Sequence, residues 1–515
     1  MRPNRLDRPR AGLTTDADIM TLEQVLAPYP GGRLDYLMIT PSVTLCPDPA
    51  NNKLRSPWLA VGYILANVKK EGYSVKYIDM DACLVSVDRL VGYVEQNKPM
   101  LVAFSAVTTN IKGAAHIASR IKERCSEALI CLGGVHGTMI PQETLAEFPI
   151  FDFLVRGEGE QIIPQVLRRL RTGQTDFSDI VGVITPGGDD QRSYLVQDLE
   201  TLPFPAWEEF DLDRYPGVDL HRTRRELPII TARGCPYDCC FCCRQPGMRK
   251  VRYRSVESIM EELVRNVEIF AAEAILFVDE TFTVNKRFTT EICEGILALG
   301  LHRKMRWSCS TRVDTADQAL FHLMREAGCY DVFFGFESGD DRLLEIAGKR
   351  ITTTQMRDAV AKAKHADLAV HGSFILGLPG ETEETIEKAW ELAKELDIRG
   401  ISFPIAVPFP GTRLRAMAER GEYGLRITSN NWEDYGKQYP GVMEQGDLSM
   451  EKCLFYQQKS YLNHPLKWDY EWPEDELDRT KRKQQTTCPK GLCGVRDKRP
   501  KRAEQYQSAG CQASV

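Results

Sequence analysis

From Leu34 onward the chain alternates short apolar runs with longer stretches whose apolar residues recur at helical spacing. The runs at 36–40, 75–79, 101–105, 129–133 and 153–156 are almost continuously apolar, as strands buried on both faces are. Between them, 60–71 and 111–125 read as amphipathic helices, so 34–182 predicts repeated βα units in a doubly wound parallel sheet. The Pro-rich, acidic stretch around 198–207 predicts a linker, placed at 183–224. A second series of strands follows at 227–231, 274–279, 305–311, 331–335, 370–376 and 401–407, with helical patterns between them such as 255–270 and 382–396. Six βα units over 225–420 predict an incomplete barrel, open on one side to a large substrate or a neighbouring cofactor. Beyond Gly421 the pattern is mostly helical with aromatics, Trp432, Tyr435 and Tyr439 among them, and 421–479 is expected to cap the barrel mouth. The segment 1–33 is expected to be mobile, and the polar, basic 480–515 disordered.

Composition narrows the class. No apolar stretch approaches the roughly twenty residues that span a bilayer, and the first residues lack a secretory apolar region, so a cytoplasmic location is expected. Sixteen cysteines in such a chain point to metal and redox chemistry rather than a disulfide framework. A net charge of −6 argues against general nucleic-acid binding.

The chemistry concentrates after the first strand of the second series, in Cys235-Pro-Tyr-Asp-Cys239-Cys-Phe-Cys242. Three thiolates spaced C-x3-C-x2-C can hold three irons of a cubane and leave the fourth open to a small molecule. Cys240 and Cys243 are read as neighbours of this trio. A structural zinc site would ordinarily use a second, well-spaced pair, and none lies nearby. Further candidates sit at strand ends, where α/β folds build their sites. In the first series these are Ser105, Thr108 and Thr109, then Gly133 and Gly134, then Arg156-Gly157-Glu158-Gly159-Glu160. In the second they are Asp279-Glu280-Thr281, Ser310 and Arg312, Gly335 to Gly339 around Glu337, and Gly377 to Glu381. No G-x-G-x-x-G follows the first strand, which disfavours NAD and FAD.

Gly133-Gly-Val-His136 and Arg156-Gly-Glu-Gly-Glu160, in this strand order, resemble the cobalamin-binding domain that precedes many radical S-adenosylmethionine (SAM) enzymes. The cysteine trio and the strand-end residues after it resemble the SAM-binding motifs of that family, and Pro408-Phe-Pro-Gly-Thr412 resembles the segment that ends its barrel. The resemblance implies an α/β protein: a Rossmann-like cobalamin-binding domain, a partial (β/α)6 radical SAM barrel and a small helical C-terminal region. It implies a 4Fe-4S cluster on Cys235, Cys239 and Cys242. It implies SAM chelated at the open iron, with Gly335 and Glu337 at its amino group, Ser310 and Arg312 near its ribose or carboxylate, and Gly377 along the adenine. Ser105, Thr108, Gly133, Gly134, Gly157 and Glu158 would meet cobalamin. The D-x-H-x-x-G motif that supplies a lower cobalt ligand elsewhere is missing, and Asp219-Leu-His221 is only a near miss, so no histidine is expected beneath the corrin.

The activity implied is cleavage of SAM to a 5′-deoxyadenosyl radical and methylation of an unactivated carbon or phosphorus, with a flavodoxin or ferredoxin-type electron donor and a small-molecule substrate. Two alternatives stand beside it: oxidation or cyclisation without methyl transfer, as in the anaerobic magnesium-protoporphyrin ester cyclase, and a cluster-based electron carrier or cobalamin-responsive sensor. A methylthiotransferase is disfavoured, because Cys46, Cys83, Cys125 and Cys131 are scattered thiols rather than a second cluster site. Cobalamin must face the cluster across the domain interface, where 41–56 and 404–413 are the loops expected.

Overall fold

The computed structural model describes residues 21–42, 56–188, 193–215, 225–436 and 441–463. The tail at 480–515, with Cys488, Cys493 and Cys511, lies outside the described residues, as do His221, Cys46 and most of 41–56.

Five parallel strands open the chain: β1 (Tyr36–Thr40), β2 (Val75–Asp79), β3 (Leu101–Ser105), β4 (Ile130–Gly133) and β5 (Phe153–Val155), in the order β2-β1-β3-β4-β5. Every residue of β1 and β5 is buried, which explains why these runs carry no polar alternation. A short β6 (Val183–Ile184) pairs antiparallel with β5, so the sheet runs past the expected boundary at 182. The linker expected after it is not a loose tether where it is described. Its Trp207 is fully buried, and the Ala206 amide donates to the Gly62 carbonyl at 3.0 Å, strapping it to the helix Leu59–Lys70.

The second sheet comprises β7 (Glu226–Ile229), β10 (Ala274–Phe277), β11 (Arg306–Thr311), β12 (Cys329–Glu337), β13 (Ala369–Phe374) and β14 (Gly400–Ser402), all parallel. The order β7-β10-β11-β12-β13-β14 leaves the two end strands unpaired with each other, which makes the barrel partial. Trp307, Cys309, Val332, Phe334, Phe336 and Phe374 are buried on the face toward the helices. The alternate residues Ser308, Ser310, Phe333, Gly335 and His371 face inward and are only half-buried. Between β7 and β10, two-residue strands β8 (Ala232–Arg233) and β9 (Arg252–Tyr253) pair antiparallel on either side of the cysteine loop. Strands that short carry no periodic signal, and the sequence did not show them.

The termini differ from expectation. The segment expected to be mobile carries, where described, a helix Leu22–Val25 with a Thr21–Gln24 capping box, and Val25 is buried. The C-terminal region is not simply a helical lid over the barrel mouth. It holds a hairpin, β15 (Leu425–Ile427) with β16 (Met443–Gln445), and a helix Met450–Asn463 that covers the free edge of the barrel sheet beyond β14. There the Phe403 amide donates to the Tyr461 hydroxyl at 3.2 Å, and Gln457 donates to the Phe403 carbonyl at 2.7 Å. Trp432 docks on the first domain, its indole N–H donating to Glu147 at 2.8 Å and its ring 5.0 Å from that of His136. Tyr435 is fully buried, so it and Trp432 are core, while Tyr439 lies outside the described residues.

The two sheets are joined by buried charge. Both oxygens of Glu158 accept from Arg252, at 2.7 and 2.8 Å, and one also accepts from the Val196 amide at 2.6 Å. Arg233 lies 3.3 Å from Glu158 and 2.8 Å from Glu160. Burial alone would raise the Glu158 carboxyl, but the hydrogen bonds from Arg252 and the charges of both arginines outweigh it and hold Glu158 below its ordinary value. Removing one member of such a set strands a buried charge, at a cost of about 3–5 kcal/mol, whereas replacing both with apolar groups is far milder. Glu158→Gln is therefore expected to lower the urea midpoint by an amount equivalent to several kcal/mol, and the double variant with Arg252→Met by less. Equal losses in urea melts of the single and double variants would show that the pair is not coupled.

Candidate active site

The cysteine loop starts directly after Arg233, so the buried cluster of acids and arginines holds its entrance. Behind it, Asp279 at the end of β10 accepts from the Ala232 amide at 2.7 Å and the Thr231 hydroxyl at 2.7 Å, and burial raises its carboxyl to about 6. Arg244 crosses beneath the loop, donating to the carbonyls of Cys235, at 3.0 Å, and Tyr237. Cys240 faces away from the cavity: it is fully buried, its amide donates to the Ala347 carbonyl at 2.7 Å, and burial raises its thiol to about 11. Cys235, Cys239 and Cys242 line one cavity, together with Cys243. The charges of Cys239 and Cys235 act on Cys242, which burial first and then those neighbours raise to about 11, so the three sulfurs share one volume. Three thiols at C-x3-C-x2-C spacing on one loop, lining one cavity, suit a cubane with one open iron.

That cavity, about 640 Å³, is walled on one side by the first sheet's C-terminal edge and on the other by the barrel's. Ser105, Gly134 and Gly157 come from the C-terminal ends of the first sheet's strands, with Leu59, Ala60 and Ile64 of the helix that follows β1. Small and apolar groups there suit the broad face of a corrin. The glycines there answer a packing constraint. At φ +99 and +102, a Cβ on Gly134 or Gly157 would collide with the backbone of Ala106 or Tyr194. Gly133 faces a smaller adjoining cavity of about 50 Å³. Thr108 lies outside both, buried with its hydroxyl 3.3 Å from His136 Nδ1. Glu158 reaches the cavity wall, but its oxygens are occupied by Arg252, Arg233 and Val196.

On the barrel side, Ser310, Arg312, Gly335 and Glu337 line the cavity. The β12–β13 register shifts between Gly335 and Glu337, and Glu337 takes φ +70, a conformation costly for a residue with a side chain. This bulge turns its carboxylate to Lys349 Nζ at 2.9 Å. Arg312 has little left for a ligand. Its guanidinium donates to both oxygens of Asp314 at 2.9 Å and to the Lys349 carbonyl at 2.7 Å, lies 3.6 Å over the Tyr237 ring, and reaches Cys239 Sγ at 3.9 Å. Gly377 does not line the cavity; its amide donates to Glu381 instead. Glu280, one of the strand-end candidates of the sequence, also lines it, as do Tyr237, Arg233 and Lys349, which the sequence did not single out. Glu280 stood at a recognisable strand end, whereas Lys349 follows a helix with nothing to mark it. The loop 404–413 does reach the first domain: Val407 joins its core and Gly411 abuts Met139.

A family profile described as the B12 binding domain matches residues 50–167, and one described as the radical SAM superfamily matches 229–393. An uncharacterized methyltransferase of Pyrococcus horikoshii is 33% identical over 80% of this chain and 88% of its own length. The chain belongs to the cobalamin-binding radical SAM family. This radical SAM enzyme is also 28% identical to an anaerobic magnesium-protoporphyrin IX monomethyl ester cyclase of Cereibacter sphaeroides, over 69% of this chain and 59% of the cyclase. A cytidylyl-2-hydroxyethylphosphonate methyltransferase of Streptomyces wedmorensis is 25% identical over 69% of this chain and 76% of its own. In fold the enzyme matches the radical SAM methyltransferase TsrM from Kitasatospora setae with a TM-score of 0.63, covering 83% and 82% of the two chains at 17% identity. It also matches the cobalamin-dependent radical SAM enzyme OxsB at 0.61, covering 88% and 61%, likewise at 17%. The enzyme is thus of the cobalamin-dependent radical SAM methyltransferase family, and its cofactors are a 4Fe-4S cluster, SAM and cobalamin. Among the described residues no helix is long and apolar enough to cross a membrane.

Glu381 gives the site's support a pH signature. Burial raises its carboxyl to about 8 although the Gly377 and Leu378 amides pull it down. The folded state therefore holds a proton more tightly than the unfolded chain, so the stabilisation is fully present below about pH 4.5 and fades as pH rises through 8. Wild-type urea stability is expected to fall between pH 5 and 9 by on the order of a few kcal/mol more than that of Glu381→Gln. Parallel pH profiles for the two proteins would contradict this assignment.

Proposed function

We propose that the enzyme methylates an unactivated carbon or phosphorus of a small molecule, with SAM and cobalamin meeting in the cavity between the two sheet edges. The observation that carries this is the shared lining of that cavity, where Ser105, Gly134 and Gly157 stand across from Cys235, Cys239 and Cys242. When bound, the cluster and SAM supply the hydrogen-abstracting radical and cobalamin carries the methyl group.

The chain's part is to bind, orient and exclude water. Cys235, Cys239 and Cys242 hold the cluster. Gly335 and Glu337, the latter fixed by Lys349, meet the amino group of SAM, and Ser310 lies toward its ribose. Arg312 holds the loop and places a cation beside Cys239 rather than gripping SAM. Ser105, Gly134 and Gly157 face the corrin. The electron donor is of flavodoxin or ferredoxin type. Arg244, Arg249 and Arg413 share the single acid Asp238, so the exposed Arg249 and Arg413 leave a net basic rim beside the exposed Cys242 for such an acidic protein.

Cys239→Ala is expected to abolish 5′-deoxyadenosine formation by the reconstituted protein, while wild type with its substrate gives a product heavier by one methylene unit. An oxidised or unchanged product mass would favour the cyclase-like alternative. Arg249→Glu is expected to slow flavodoxin-driven 5′-deoxyadenosine formation severalfold and leave the titanium(III) citrate-driven rate unaffected. Equal slowing with both reductants would contradict the docking rim.

A further inference from the structure

The barrel lumen is unlike a packed barrel core. Closed βα barrels fill their interior with bulky branched side chains. Here the inward positions include Ser308 and Ser310 on β11, Ser373 on β13 and Ser402 on β14, and Gly400 sits in register beside His371. Small residues at these positions leave volume in the lumen. Ser308, Ser310, Phe333, His371 and Ser402 are all only half-buried, so that volume is accessible.

One titratable pair projects into it. Asp331 lies two and four residues before Phe333 and Gly335, both of which line the active-site cavity, and so shares their face of β12. His371 is the register partner of Phe333 on β13. Its Nδ1 is hydrogen-bonded to Asp331 Oδ2, with the imidazole 34% exposed and the carboxylate side chain 11%. A buried carboxylate that accepts from Nδ1–H fixes the tautomer of a neutral imidazole and leaves Nε2 as an acceptor. At the strand rise, His371 stands about 7 Å below the level of Gly335. Phe333, its register partner, lines the cavity, so the pair stands beside the cavity floor.

Resting on the methyl-transfer reading above, we propose that the lumen between β11 and β14 is the acceptor-substrate site, and that His371, held by Asp331, binds a hydrogen-bond donor on that substrate. The substrate is then a small polar compound bearing a hydroxyl or ammonium group, with that group lodged in the lumen and the methylated atom directed up toward the cluster and cobalamin. Asp331 is the positioning residue and His371 the contact.

The test is selective nitrogen-15 labelling of histidine in the full reconstituted chain, at one fixed pH, with the His371 resonances assigned by loss in His371→Gln. Glycerol and 2-aminoethanol are the donor probes, and tetrahydrofuran, of similar size but without a donor, is the control. The expected result is an Nδ1–H tautomer whose Nε2 resonance shifts saturably with both donor probes and not with tetrahydrofuran. The shift should be lost in Asp331→Asn and, should that variant not fold, in Ser402→Val, which adds bulk at an inward position of β14 two residues beyond Gly400, the register partner of His371. No shift with any probe, or equal shifts with all three, would overturn the proposal and make the pair a plug in the barrel floor. This readout needs no radical chemistry. A protein that makes 5′-deoxyadenosine but shows no probe response sinks only the lumen site, and a responsive protein that makes none sinks the reading beneath it.

Discussion

The arrangement depends on four buried charges, Glu158 and Glu160 from the edge of one sheet and Arg233 and Arg252 from the hairpin that carries the cysteine loop. Charges taken out of water are favourable only when each finds its partner, so this set tolerates one docking geometry and penalises others. Arg233 is two residues before Cys235. The first domain therefore sets where the cluster loop begins, and the cavity between the sheets exists as a consequence of that contact. Tyr63 reinforces it, its hydroxyl 3.2 Å from Arg254, which pairs in turn with the buried Glu262.

Once the edges are docked, the chemistry of the cavity follows from which donors remain free. Glu158, Arg252 and Arg312 are occupied by other protein groups and act as frame. The three thiols and Glu337 line the cavity, Glu337 on a strained bulge that turns its carboxylate to Lys349. The same sorting separates the frame below the site, where Asp279 and Glu381 hold backbone amides, from the residues that meet ligands. Strand-end acids thus divide between the two tasks according to what their neighbours offer.

That division explains what was legible in the sequence. The parallel strands were, because strands covered on both faces must be apolar throughout, and β1, β2 and β3 run as read. The cysteine spacing was, because a cubane needs that short loop. The role of Glu158 was not, since the arginine that occupies it lies 94 residues away and nothing local distinguishes a carboxylate facing a ligand from one facing a partner domain. Lys349 carries no local mark, because its importance comes only from the bulge at Glu337. The C-terminal hairpin was read as helix because its strands span three residues each, and the docking of Trp432 on the first domain was not legible because no local pattern marks a contact so distant in sequence.

The central claim is that one cavity brings the cluster and cobalamin together across the docked edges. The most direct test is the electron paramagnetic resonance spectrum of the reconstituted enzyme, with cobalamin in its paramagnetic cobalt(II) form and the cluster reduced. A magnetically coupled spectrum, differing from the sum of the two signals recorded separately, is the predicted result. A simple superposition of independent cobalt and cluster signals would contradict the account.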